Sequence, residues 1–240
     1  MIRALHTEVR IRALFLSALV VVFATSLSAA AQDEPKDVAE PPGQAGPSDT
    51  ILNFTVLRNG DQIGTSTMRV RRDGPQTVAE VVTHIQVKIA YVTVYRFEQT
   101  ETEHWTEGSL VEMTSLTNDN GSVHKVSAKR AGDTLSVEAD GKTSEVDPTV
   151  IPASVWNAAL VRHTVALDPQ DGSLTPIAVV DHGEEQLVLE GRPTTTHHYS
   201  ISTALPQDLW YDEQDRLVKV ELVGSDGSKI EYRPIEPRGP

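Results

Sequence analysis

The sequence predicts an all-β fold: a half-barrel or barrel of about 10–12 antiparallel strands, with one short helix inserted near residues 153–162. Three observations carry this. Turn dipeptides punctuate the chain at short intervals: Asn59-Gly60, Asp73-Gly74, Glu107-Gly108, Asn120-Gly121, Asp140-Gly141, Asp171-Gly172, His182-Gly183 and Asp226-Gly227. Asn-Gly and Asp-Gly tolerate the positive φ angles that tight hairpin turns require. A long alternating run spans residues 77–97, and helical spacing occurs in a single segment.

The first 31 residues read as a secretory signal peptide. Arg3, Arg10 and Arg12 precede an apolar run over residues 13–24, and small residues end in Ala29-Ala30-Ala31. That order is the export signal, with cleavage expected near Ala31 and a periplasmic, unanchored product. A membrane anchor is the competing reading; the apolar run is short for the ~20 residues a spanning helix needs. Residues 32–49 are rich in Pro, Gly and acid and read as a disordered linker. One domain is expected over 50–233, and residues 234–240 read as a flexible tail. Net charge is −13. Such acidity repels nucleic acid and anionic surfaces, and no nucleic-acid partner is expected. With no cysteine, neither a disulfide nor a lipid-modified cysteine can form.

Within residues 77–97 the odd positions Ala79, Val81, Ile85, Val87, Ile89, Tyr91, Tyr95 and Phe97 are apolar, while the even ones include Glu80, His84, Lys88 and Arg96. Alternation of period two gives one dry face and one wet face on a single strand of about twenty residues. Ser154 is expected to cap the helix that carries Trp156 and Leu160, with Pro152 before its start. Toward the C-terminus two hairpins are expected. One pairs 175–181 with 184–190, and the other turns at 212–215.

No catalytic group, metal or cofactor is expected. Mature histidines occur at 84, 104, 124, 163, 182, 197 and 198. His197 and His198 are adjacent and so point to opposite faces of a strand. Residues 118–121 and 168–172 lack the spacing of a calcium loop and read as turns. Glu101 and Glu103 share a strand face, as a glycosidase pair would, but read more simply as a wet surface. No nucleophile elbow surrounds Ser154.

The order of Val94-Tyr95-Arg96-Phe97, Glu103-His104-Trp105, Gly108-Ser109-Leu110, Thr117-Asn118-Asp119-Asn120-Gly121, Pro152-Ala153-Ser154-Val155-Trp156-Asn157 and Leu209-Trp210-Tyr211-Asp212 resembles an exported bacterial family of unknown function. That family is similar in pattern to periplasmic half-barrels of the LolA-like lipoprotein-carrier type. The resemblance implies a curved sheet with a lid over an apolar face, and a non-catalytic carrier of lipid or another apolar ligand. Ile85, Val87, Ile89, Tyr91, Tyr95, Phe97 and Trp156 are the expected ligand-binding residues. The alternative is a structural or protein-interaction module of the cell envelope with a filled core.

Overall fold

The structure, a computed structural model, describes residues 48–189, 191–202 and 206–235. The expected signal peptide, nearly all of the linker and most of the tail lie outside them. Eight strands form a first meander: β1 (Ser48–Arg58), β2 (Asp61–Asp73), β3 (Gln76–Ile89), β4 (Val92–Thr106), β5 (Ser109–Asp119), β6 (Ser122–Ala131), β7 (Thr134–Ala139) and β8 (Lys142–Val146). A crossing segment follows, containing a 3-10 turn (Ala159–Arg162) and a small ribbon of β9 (Val165–Leu167) and β10 (Leu174–Pro176). A second meander is built from β11 (Ala178–Leu189), β12 (Arg192–Ser202), β13 (Gln207–Asp212), β14 (Leu217–Val223) and β15 (Lys229–Pro234).

Antiparallel pairing of β15 with β1 joins the meanders into one sheet of 13 strands, with β11 and β8 at its edges. Two-residue turns connect much of the first meander, and the glycines that the sequence marked sit in them at positive φ, as at Asn59-Gly60 and Asn120-Gly121. β1 starts at Ser48, two residues inside the expected linker, because Ser48 and Asp49 pair with Arg72 and Arg71.

Side chains of one sheet face form the core: Phe54, Met68, Val81, Phe97, Leu135, Leu209 and Tyr232 are among them. The crossing segment adds Val150, Ile151, Val155, Leu160 and Leu167 to the same core. Its contacts show how far the sheet curls. Val155 accepts a hydrogen bond at its carbonyl from Tyr211 Oη on β13 at 3.2 Å, and the next residue, Trp156, donates to Glu103 on β4 at 3.1 Å. Six strand steps separate β13 from β4 in the sheet order. In a flat sheet that is about 29 Å. Adjacent residues can touch both only if the sheet wraps around them, so the fold is a half-barrel with its own chain inside.

Three sequence expectations need correction. Residues 77–97 are not one strand. The chain reverses at Ala90-Tyr91, where φ is 46° and 69°, and returns as β4. Without Gly or Asn there, the turn carried no signal. Nor does a helix form at 153–162; only Ala159–Arg162 make a turn. Ala153 N donates to Leu167 O at 2.7 Å and Leu167 N to Ile151 O at 2.8 Å, so β9 takes the backbone bonds a helix would need. Finally, the two arms of the hairpin expected from 175–181 and 184–190 lie mostly in one strand, β11, which pairs instead with β12. Gly183, at φ 80°, lies at a bulge opposite His198. A glycine in that conformation serves a bulge as well as a turn.

Candidate functional site

β4 carries the most unusual inward face in the molecule. Its inner positions are Tyr95, Phe97, Gln99, Glu101, Glu103 and Trp105, and all six are buried. The alternation that makes Tyr95 and Phe97 apolar continues in phase to Trp105, so the polar residues between them must also face in. Glu101 and Glu103 are 2% and 0% exposed, which overturns the reading of a wet face.

The crossing segment supplies the partners. Glu103 accepts from Trp105 Nε1 at 2.7 Å, from Trp156 Nε1 at 3.1 Å and from Ser154 Oγ. The Ser154 hydroxyl also lies 3.4 Å from Glu101 Oε1. It therefore binds carboxylates instead of capping a helix. The two indoles meet edge to face, 6.0 Å between ring centroids and 81° between planes. Burial is the largest cause holding both carboxyls above the ordinary range, and the neighbouring Glu103 raises Glu101 further. The donors from Ser154, Trp156 and Trp105 pull Glu103 back down. Glu101 is therefore the partner that keeps its proton, and Glu103 the one equipped to carry charge.

Polar capacity remains beside them. Glu101 Oε2, Gln99 Oε1 and Ser115 Oγ are buried without a hydrogen-bond partner among the described residues. Register places Glu101 opposite Ser115 and Gln99 opposite Thr117, to which Gln99 Nε2 donates at 3.2 Å. These atoms form one patch on the inner face. Chemically the cluster is a latch: four hydrogen-bonding side chains tie a crossing segment to the wall of the half-barrel. A glycosidase pair must flank a sugar. Here Ser154 fills the place between the carboxyls.

The expected binding residues divide. Ile85, Val87, Tyr95 and Phe97 share the core with Trp156, whose indole faces Glu103. Ile89 and Tyr91 do not join them; Ile89 is 62% exposed and Tyr91 fully so. Pairing of β3 with β2 stops at Ile85, and the register slips between Val87 and Lys88, so the hairpin tip leaves the sheet.

Open space lies instead at one end of the half-barrel, beside the 3-10 turn. One opening of about 820 Å³ is lined by Ile51, Leu52, Val188, Leu189, Val218 and Ile235, together with Arg192, Arg216, Arg233 and Asp212. A second, of about 560 Å³, adjoins it through Leu52 and Arg216 and reaches Val70, Trp156 and Ala158. Of these residues only Trp156 was among the ligand-binding residues expected from the sequence. In the larger opening most lie on the consecutive strands β11–β15; pairing of β15 with β1 adds Ile51 and Leu52, and the curl brings Val188 and Leu189 of β11 toward them.

The histidines point to opposite faces of β12, as their adjacency requires. His197 Nε2 lies 2.5 Å from Asp181, and its ring stacks on Tyr199. His198 stacks between His182 and Trp210, with centroid distances of 4.4 and 4.3 Å. His182, His198 and Asp208 bring donor atoms within 4.8 Å of one another. The two imidazoles lie nearly face to face, 24° from parallel, so one ion cannot sit in the plane of both rings unless a ring turns. Residues 118–121 and 168–172 are turns closed by Asn118 and Asp168 side chains.

Curled antiparallel sheet, filled interior and open mouth together define a β-barrel-like class of protein. Within it, the chain belongs to the family described as a domain of unknown function (DUF6134), which matches residues 54–235. The crystal structure of a β-barrel-like protein of the domain of unknown function DUF1849 from Brucella abortus is similar in fold. Its TM-score is 0.60 at 8% identity, over 78% of this chain and 95% of that one. Comparison with curated proteins gives no match.

Proposed function

We propose that this chain is a non-catalytic binding protein of the cell envelope, exported to the periplasm, and that it takes an anionic apolar ligand of the fatty-acid or acidic-lipid class at the mouth of the half-barrel. The carrying observation is the opening of about 820 Å³, whose aliphatic lining is joined by three arginines and one aspartate. Its volume falls in the range of small-molecule sites, which combine an apolar wall with a few orienting polar groups. Aliphatic walls gain about 25 cal/mol for each Å² of ligand they cover. Arginine suits the carboxylate or phosphate at the ligand's end. The ligand thus sits beside the crossing segment rather than on the face of Ile85–Phe97, which protein already covers.

The test is a titration of a fluorescent fatty-acid analogue into delipidated protein. Saturable binding is expected. Val188→Glu, at an exposed lining position, should weaken it by about ten-fold, while Val223→Glu, at the far end, should not. A second reading, an interaction module without a ligand, is favoured by the filled interior. Failure to saturate with fatty acids and with acidic phospholipids would leave that reading standing.

A further inference from the structure

We propose that the β3–β4 hairpin tip is a membrane-contact element that inserts Ile89, Tyr91, Val92 and Val94 into the interfacial layer of an anionic lipid surface. It lies at the opposite end of the half-barrel from the mouth, and the argument does not depend on ligand binding there.

Four observations converge. First, the tip stands clear of the sheet. β2 pairs with β3 only as far as Ile85, and β5 pairs with β4 only from Phe97, so residues 86–96 form no ladder with a third strand, although Asn120 N still donates to Arg96 O at 2.7 Å. Val87 and Tyr95 still pack into the core, so the projecting part is residues 88–94, all of them exposed. Second, its side chains are apolar where water should favour polar ones. Of the thirteen exposed large apolar side chains among the described residues, four fall within residues 89–94. Clustered exposure of this kind marks a contact surface, whereas scattered single residues do not.

Third, the turn is built against local preference. Ala90 and Tyr91 both hold positive φ, 46° and 69°. The turns Asn59-Gly60, Asn120-Gly121 and Asp140-Gly141 put glycine in the second position and Asn or Asp in the first. A side chain with a Cβ is disfavoured in that conformation. Placing Tyr91 there spends stability to project an aromatic ring at the apex.

Fourth, the local charge opposes the net charge. From Ile85 to Phe97 the only charged residues are Lys88 and Arg96, both exposed and both set back from the apex. Asp61 and Asp119 lie further back, in or beside the neighbouring β1–β2 and β5–β6 turns. An aromatic and aliphatic apex with cations one step behind matches the membrane interface, where tyrosine sits at headgroup level and basic side chains reach back to phosphates. Lys88 and Arg96 thus give the tip a local attraction to an anionic surface that the net charge of −13 does not supply.

The experiment places a tryptophan at the apex of the full chain. Trp105, Trp156 and Trp210 are buried and give a constant background. Tyr91→Trp emission should shift to the blue on vesicles of phosphatidylcholine and phosphatidylglycerol, and brominated lipid should quench it. Val111→Trp, on the outer surface at the opposite end, should show neither. Tyr91→Ser/Val92→Ser should lower the vesicle-bound fraction by about ten-fold, and Lys88→Gln/Arg96→Gln should remove the preference for phosphatidylglycerol. No shift of Tyr91→Trp on either vesicle would overturn the proposal. So would a shift that appears without lipid and grows with protein concentration, which would assign the tip to a second copy of this chain.

Discussion

Glu103 collects two indole N–H groups and a hydroxyl in a place no water reaches, so its removal strands three donors at once. Glu103→Ala should cost about 3 kcal/mol or more, read as a fall in melting temperature. Glu101 behaves differently because it keeps its proton: Glu101→Gln replaces a neutral group with a neutral group of the same shape and should be close to neutral in stability at acid pH. The pH dependence follows from the direction of its shift. In the folded chain Glu101 holds its proton well above the ordinary value of 4.5, at which the unfolded chain releases it. Above 4.5 the unfolded state binds fewer protons, so stability falls as pH rises toward the folded value. Wild-type melting temperature should therefore decline as pH rises above about 4.5, and Glu101→Gln should flatten that decline. An equally steep decline in the variant would place the proton elsewhere. At the acid end Asp226 acts in the opposite sense. Ser228 and Arg58 hold it down to about 2, so its contribution is lost as pH falls from the ordinary value of 3.8 through about 2.

The hairpin β3–β4 shows which signals a strand sends and which it does not. Residues 77–97 read as a single alternating strand because odd positions stay apolar across the turn, and Ala90-Tyr91 has none of the residues that announce a reversal. Alternation resumes in the same phase because the register slips by one residue: Ile89 pairs with Val92 across the two-residue turn, but Val87 pairs with Tyr95. Ile89→Asp, which a single inward face would make severely damaging, should therefore cost well under 1 kcal/mol at this exposed position. Ala90→Asn/Tyr91→Gly should instead raise the melting temperature, by about 1–2 kcal/mol of added stability, since it installs the residues that the φ angles favour. No gain would mean that the turn relaxes out of the left-handed region in solution. Gly64 illustrates the reverse case. A Cβ there would collide with the His84 carbonyl oxygen on β3, a backbone atom that cannot move aside. The helix expected at 153–162 failed for a similar reason of context. Its spacing is helical, but Pro152 bridges Leu167, and the crossing segment satisfies its backbone through β9.

At the scale of the whole molecule, alternation and turn residues made the strand class and most hairpins legible, because both are local. What joins β15 to β1, and what lies inside the curl, is not local. Glu103-His104-Trp105 and Pro152-Ala153-Ser154-Val155-Trp156-Asn157 stood out in the sequence as separate motifs, yet nothing within either indicates that Glu103 and Trp105 meet Ser154 and Trp156. The one available signal was the phase of β4, which must turn Glu101 and Glu103 inward if Phe97 and Trp105 both face in. This architecture also constrains how the protein unfolds. The crossing segment covers the apolar face of both meanders, and Leu160 and Leu167 are fully enclosed by it. Detaching the segment would expose that face to water, so segment and sheet should melt together as one cooperative unit. Leu160→Ala should cost about 2–5 kcal/mol even though it lies outside the large sheet. In denaturant titrations of that variant, tryptophan emission and far-ultraviolet circular dichroism should report the same midpoint, shifted equally from wild type. Midpoints that separate, with fluorescence changing first, would show instead that the segment leaves while the sheet persists, and that the half-barrel can open its interior without unfolding.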